Sequence, residues 1–482
     1  MATQVQWRRG TTAEHSTFAG AEGEITVDTT KDTLVVHDGV TQGGKPLSTE
    51  DTTIHVPGTG LPNEASATLT SFDNAETGYS ATNVQQAIDE TFSLIGSIDD
   101  VVTVEWDMVN DTYSGNFKAN EVHKNMRRCV VNEAGEVVYY LDEFNSALKE
   151  NGTAADLTGA DGNVMVEIPK TYVRFDFSGN VLSISMTFRP VAGFVLHPAF
   201  SLGNHDFIYK NAYDPCVYDV SSSTFIDGLN LTDNRSRVDV ANDKLASVSG
   251  RFPMVGLTRN EFRTLASNNT GEYSQELFWE RQLLQVLFVT EYGNFNSQAV
   301  LGNGNTERSY PASSANQADS PHVAAGESNF LGNQSGGRND SAGVPFVSYR
   351  GIENLYGNCW NFLDGINILD RQLYVTHLLN ALADNTETGY QAIGNPYPVA
   401  SASFIKDWQP NNQQALLVNS VGGGASSSTF VGDALWTNAG WRVARVGGSA
   451  DSGGRAGVSA ATLNRDSGSR LRGDGGSLTL RK

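Results

Sequence analysis

"ALWTNAGWRVARV" at 434–446 runs directly into "GGSADSGGRAGVSAATLNRDSGSRLRGDGGSLTLRK" at 447–482. The first block carries two Trp residues and alternating apolar positions, the pattern of a strand in a folded core. The second has no aromatic residue and only five large apolar ones, Val458, Leu463, Leu471, Leu478 and Leu480. Small residues alternate there with Arg and Asp, which suits either a disordered tail or a folded surface selected for recognition. Charge separates this end from the rest. From Arg442 onward eight basic residues face three acidic ones, whereas the preceding 441 residues hold 25 basic and 51 acidic ones.

The whole chain has 482 residues, a net charge of −21, 18% charged residues and 49 Gly. Low charge with abundant Gly, Asn, Ser and Thr points to turn-rich β structure. The acidic balance argues against nucleic acid and anionic membranes as partners, because phosphate contacts need Lys and Arg. Cys129, Cys216 and Cys359 are odd in number and too widely spaced for a zinc site, so free thiols are expected. The eight His are scattered, and neither a metal, a cofactor nor a catalytic constellation is expected. The longest apolar run, "LLQVLFV" at 283–289, is too short to span a bilayer, and "MATQVQWRRG" has no signal core.

Along the chain, "EITVDTTKDTLVVHDG" (24–39) holds two alternating runs joined by a polar turn, a β-hairpin signal. A module of about 50 residues buries little surface alone and is expected to associate with copies of itself. Residues 51–81 read as a linker. In "YSATNVQQAIDETFSLIGSIDD" (79–100), Val84, Ala87, Ile88, Thr91, Leu94, Ile95 and Ile98 recur at helical spacing. That stripe suits one amphipathic helix on a neighbouring core or a short parallel coiled coil; a trimeric helix is the expectation adopted. Strands are expected in 136–142, 164–177 and 181–188, a helix in 273–290, and irregular loops throughout 293–345. The fold class expected is α+β, mostly β.

Several stretches resemble phage tail-fibre receptor-binding proteins of the major tropism determinant family. "WRRGTTAEHSTFAGAEGEITVDTTKDTLVVHDGVTQGGKPL" (7–47) looks like the small N-terminal module, and "YSATNVQQAIDE" (79–90) is similar to a segment of trimeric fibres. "MRRCVVNEAGEVVYYLD" (126–142), "DGNVMVEIPKTY" (161–172), "VLHPAF" (195–200) and "EYGNFNSQAVLG" (291–302) resemble phage receptor-binding proteins. "YRGIENLYGNCWNFLDGINI" (349–368) is similar to the Gly-Asn-x-Trp segment of C-type lectin folds of the formylglycine-generating-enzyme type. Copper chemistry of that enzyme needs two neighbouring Cys, and Cys359 has no Cys after it, so a scaffold without catalysis is expected.

The C-terminal stretch resembles the variable region of proteins diversified by retroelements. The framework positions would be Gly447–Gly448, Ala456–Gly457, Leu463–Asn464, Ser467, Ser469 and Gly476. Between them lie Asp451, Arg455, Ser459, Ala460, Thr462, Arg465, Asp466, Arg470, Arg472 and Asp474, the residues this resemblance implies for receptor contact. Asp, Ser, Gly, Arg and Thr are reachable from an Asn codon by changing adenines. The Trp and Tyr common at such sites are missing, and a plain variable loop fits as well. Trp360, Trp436, Trp441, Leu463 and Leu478 are the expected buried scaffold.

The resemblance thus implies a β-prism-like trimerisation module at 1–50 and a linker with a short trimeric helix at 51–98. A β-rich intermediate domain would fill 99–190, and a C-type lectin domain 191–482 with its variable region at 447–482. It implies a homotrimeric virion tail-fibre adhesin, assembled in the host bacterial cytoplasm beside other tail proteins, that binds a bacterial surface receptor. A structural tail or baseplate protein and a surface-polysaccharide depolymerase are the alternatives.

Overall fold

The computed structural model describes residues 8–46, 82–84, 86, 100–201, 205–229, 231–310, 321–409 and 415–482. The chain divides into two compact units, 1–96 and 97–482. The helix expected across 82–98 falls almost wholly outside the described residues.

In the first unit four short strands, Arg9–Gly10, Ile25–Asp28, Thr33–Val36 and Lys45–Pro46, form one sheet in that order. Its centre is the expected hairpin, in which Ile25 pairs with Val36, Thr26 with Val35, Val27 with Leu34 and Asp28 with Thr33. Successive side chains of a strand point to opposite faces. Here the buried face is Thr26, Asp28, Thr33 and Val35, three of the four polar. The other face is Ile25, Val27, Leu34 and Val36, all apolar, with Ile25 39% and Leu34 37% exposed. The hairpin is inside-out relative to an ordinary amphipathic sheet. Its interior is held by hydrogen bonds, with His15, Thr26 and His37 linked through their side chains.

The second unit is mostly β, with one long helix. A six-stranded sheet runs in the order Tyr273–Ser274, Thr479–Arg481, Phe207–Asn211, Asn163–Pro169, Arg127–Val131, Val137–Tyr140. A five-stranded sheet includes Val102–Asp107, Tyr172–Ser178 and Val181–Thr187. A nine-stranded sheet has the sequence-distant strands Trp360–Leu369, Trp441–Gly447, Gly457–Arg465 and Ala434–Thr437 side by side. Strands expected in 136–142, 164–177 and 181–188 are all present.

The helix Phe278–Tyr292 packs against strands of both the five- and nine-stranded sheets. It is buried nearly all round, so its polar residues need partners. Glu280 meets Arg481 at 2.7 Å, Arg281 meets Glu276 at 3.0 Å, and Gln282 accepts from the Leu416 N–H at 2.6 Å. The helix expected over 273–290 starts later, at Phe278, because Tyr273–Ser274 is a strand paired with Thr479–Arg481.

Two expectations are corrected. A domain boundary at 190 is absent, because Asn163–Pro169 pairs with Phe207–Asn211, which pairs in turn with Thr479–Arg481. One apolar core also runs from Val102 to Leu463. The 293–345 region is not loop throughout: it contains the helix Ser297–Leu301 and the strand Gly336–Asn339. The Asn296 side chain caps that helix by accepting from the Ala299 N–H, and the Gly-rich strand is held by pairing with Pro345–Tyr349.

Candidate functional site

The 447–482 stretch is folded. Gly447 and Gly448 both have φ of 92°, the left-handed region that only glycine enters without strain, and they turn the chain out of the sheet. A side chain at Gly448 would also lie 2.5 Å from the Ala456 Cβ. Residues 449–456 form a short excursion in which only Asp451, Gly454 and Arg455 are exposed, and the chain returns as Gly457–Arg465. That returning strand has Trp441–Gly447 antiparallel on one edge and Ala434–Thr437 parallel on the other. The expected framework steps at Gly447–Gly448 and Ala456–Gly457 are therefore the two ends of this excursion.

Register then assembles a groove. Trp436 pairs with Thr462, and Thr462 with Arg445, so three neighbouring strands place these residues in one row. Trp360 joins them, its ring 5.6 Å from that of Trp436 and perpendicular to it, with the Arg445 guanidinium 5.7 Å from its centroid. Asp451, Ser452, Arg455, Asn464 and Arg465 complete an open groove of about 240 Å³.

Arg445 is the buried centre, 4% exposed. One end of its guanidinium is paired with Asp474 and another reaches Thr462 Oγ1 at 3.5 Å, while its Nε has no hydrogen-bond partner. Burial works against the charge of both members of the pair, lowering the Arg445 pKa and raising that of Asp474. The nearby Arg465 charge pushes Arg445 further the same way.

Of the ten residues expected at the surface, Asp451, Arg455, Arg465, Asp466 and Arg470 are exposed, and Arg472 is half-buried with its guanidinium 5.9 Å from the Tyr310 ring. Arg470 pairs with Glu261 at 2.6 Å. Exposure fails at Ser459, Ala460, Thr462 and Asp474, which are buried. Three of them lie on the Gly457–Arg465 strand, which is covered along both edges. Ser459 lines an interior cavity of about 40 Å³ with Arg281 and Gln285 of the long helix. Thr462 forms the groove floor, and Asp474 is held inside by Arg445.

Among the scaffold residues Trp360, Leu463 and Leu478 are buried. Trp436 and Trp441 are only half-buried. Trp436 borders the groove, and Trp441 starts its strand opposite Leu369 at the end of the ladder, its ring 6.4 Å from that of Tyr374. Arg445 escaped the sequence reading altogether. Strict alternation would group it with Val443 in the core, but the ladder slips between these two residues and re-aims the strand. No period in the sequence marks that bulge.

The three thiols are buried and unbridged. Among the described residues no group of three His, Cys, Asp or Glu is placed to hold a metal ion, and no helix is long and apolar enough to cross a membrane.

Residues 5–41 match the family described as the major tropism determinant N-terminal domain. The tail fiber receptor-binding protein of Bordetella phage BPP-1 is 65% identical over 51 residues, an alignment spanning 11% of this chain and 13% of that relative. Solved structures of the major tropism determinant P3c and U1 variants align over 99% of both chains at 14% and 15% identity, with TM-scores of 0.23 and 0.24. The family match lies within the first unit.

Proposed function

We propose that this chain is a phage tail-fibre adhesin, a virion component that binds a bacterial surface receptor through the groove and its exposed turns on a C-type lectin scaffold. The observation that carries the reading is a junction. A module sharing 65% identity with a phage tail fiber receptor-binding protein is joined to a unit whose exposed turns reverse the charge of the rest of the chain. Exposed turns set on a rigid sheet suit recognition, because their side chains can change without loss of packing.

The adhesin is a homotrimer in this reading. An apolar outer face on a hairpin with a polar interior is covered most simply by the same face of other copies, and three weak sites on one fibre multiply affinity. No catalytic step is assigned: Cys359 is buried without a partner Cys, and the groove lacks a pair of facing carboxylates.

The test is binding of labelled full-length chain to a panel of bacterial cells that includes Bordetella. Arg455→Ala with Arg465→Ala should reduce adhesion at least tenfold while unfolding stability stays within about 1 kcal/mol of the parent, as for exposed residues generally. Adhesion undiminished by this double substitution, or binding to no cell surface, would overturn the assignment.

A further inference from the structure

We propose that the groove between Trp360, Trp436 and Arg445 takes an acidic sugar unit, a hexuronate-type residue of a surface glycan, with its carboxylate toward the arginines. The proposal deepens the adhesin reading and rests on this face being the receptor-binding surface. Three observations converge on it.

The first is the arginine set. Arg445 is almost fully buried, yet its Nε lacks a partner and it lies close enough to Arg465 for like-charge repulsion. Asp474 neutralises only one of the positive charges here, since Arg455 and Arg465 are exposed on the rim. An anion in the groove would relieve that imbalance, and a planar carboxylate suits a guanidinium fork.

The second is the pair of Trp rings in perpendicular contact, contributed by the strands that flank those of Arg445 and Thr462. An aromatic side chain presents a flat apolar surface beside a polar tip, which suits a ligand with C–H groups on one side and hydroxyls on the other.

The third decides between a sugar acid and an acidic peptide. The rim mixes its arginines with Asp451, Ser452 and Asn464. Asp451 is exposed, with Oδ1 accepting from Ser449 Oγ at 2.7 Å, and would repel a second carboxylate but accept from hydroxyls. One anionic group surrounded by several hydroxyls matches this set; a run of Glu or Asp side chains does not. The volume of about 240 Å³ holds one such unit, not an extended chain.

The experiment is titration of the full-length chain with galacturonate, galactose, a hexaglutamate peptide and inorganic phosphate, read by calorimetry and Trp fluorescence. Galacturonate should bind at least tenfold more tightly than galactose or the peptide, a difference of about 1.4 kcal/mol. Arg465→Gln should weaken it by a similar factor. Asp451→Asn separates a sugar site from a bare anion trap: it should weaken galacturonate while leaving phosphate unchanged or tighter. The inference falls if galacturonate gives no saturable signal, if the peptide binds as well with the same Arg465 dependence, or if Asp451→Asn strengthens both anions. Loss of uronate binding with cell adhesion still dependent on Arg455 and Arg465 sinks this inference and leaves the adhesin intact. Uronate binding with adhesion indifferent to those residues does the reverse.

Discussion

His15 and His37 flank Thr26 inside the N-terminal module, their rings stacked 6.1 Å apart. The hydrogen bonds dictate where each proton sits. His15 Nδ1 faces the Thr11 carbonyl at 3.0 Å and must donate, so its Nε2, 2.7 Å from Thr26 Oγ1, accepts the hydroxyl proton. His37 Nδ1 accepts from the Gly20 N–H at 3.2 Å, so its Nε2 donates to the same hydroxyl at 3.0 Å. The two imidazoles are therefore opposite tautomers, which ¹⁵N NMR would read as a pyridine-type Nε2 in His15 and a pyridine-type Nδ1 in His37. Thr26→Val would strand both Nε2 atoms in the interior. It should cost the module roughly 1–3 kcal/mol, the usual consequence of an unpaired buried polar group, measured by urea unfolding of the full chain with a probe in this unit. The opposite result, a neutral Thr26→Val, would mean that the polar core is not what holds the hairpin.

At the scale of one element, the Gly457–Arg465 strand depends on Asp433. This buried carboxylate accepts from the Ser459 N–H at 2.6 Å and occupies the space a side chain at 457 would need: a Cβ there would lie 1.8 Å from its Oδ1. Gly457→Ala should destabilise the second unit by about 1–3 kcal/mol through overpacking, and Asp433→Ala should recover part of that loss in the double variant. Burial pushes the Asp433 pKa up to about 8, held back by the Ser459 and Ala460 N–H groups. A folded-state pKa above the unfolded one means that folding takes up a proton. The stability linked to it is complete below about pH 4 and is lost as pH rises through about 8. Asp433→Asn should remove this component, so the gap in urea midpoint between parent and variant should shift in the variant's favour from pH 5 to pH 9. The strand also shows which parts of the fold were legible in the sequence. Hairpin 24–39 and the buried helix near 278–292 announce themselves by local alternation or length. The Gly-Gly turn was readable because left-handed backbone demands glycine. Burial of Ser459, Ala460, Thr462 and Asp474 was not readable, because it depends on neighbours distant in sequence, such as Arg281 and Gln285 beside Ser459, and on a bulge that no local pattern encodes. Small residues on a central strand look like those of an exposed turn until the strands beside them are known.

At the scale of the molecule, the inside-out hairpin bears on assembly. Light scattering of the full chain should give three times the 51.9 kDa chain mass, and Ile25→Lys with Leu34→Lys should shift it toward the monomer without unfolding the second unit. A single-chain mass for the unsubstituted protein would remove the reason given for that exposed apolar face. Thr479–Arg481 has a different reach. This strand lies inside the six-stranded sheet between Phe207–Asn211 and Tyr273–Ser274, with Leu478 and Leu480 fully buried. Any reading-frame error between codons 447 and 478 therefore deletes a central strand as well as altering the groove. Substitutions on the exposed turns leave that strand intact, whereas frameshifts and premature stops leave a chain that cannot close its sheet. Folding itself proofreads the message: a chain that closes this sheet has regained the correct reading frame by Thr479.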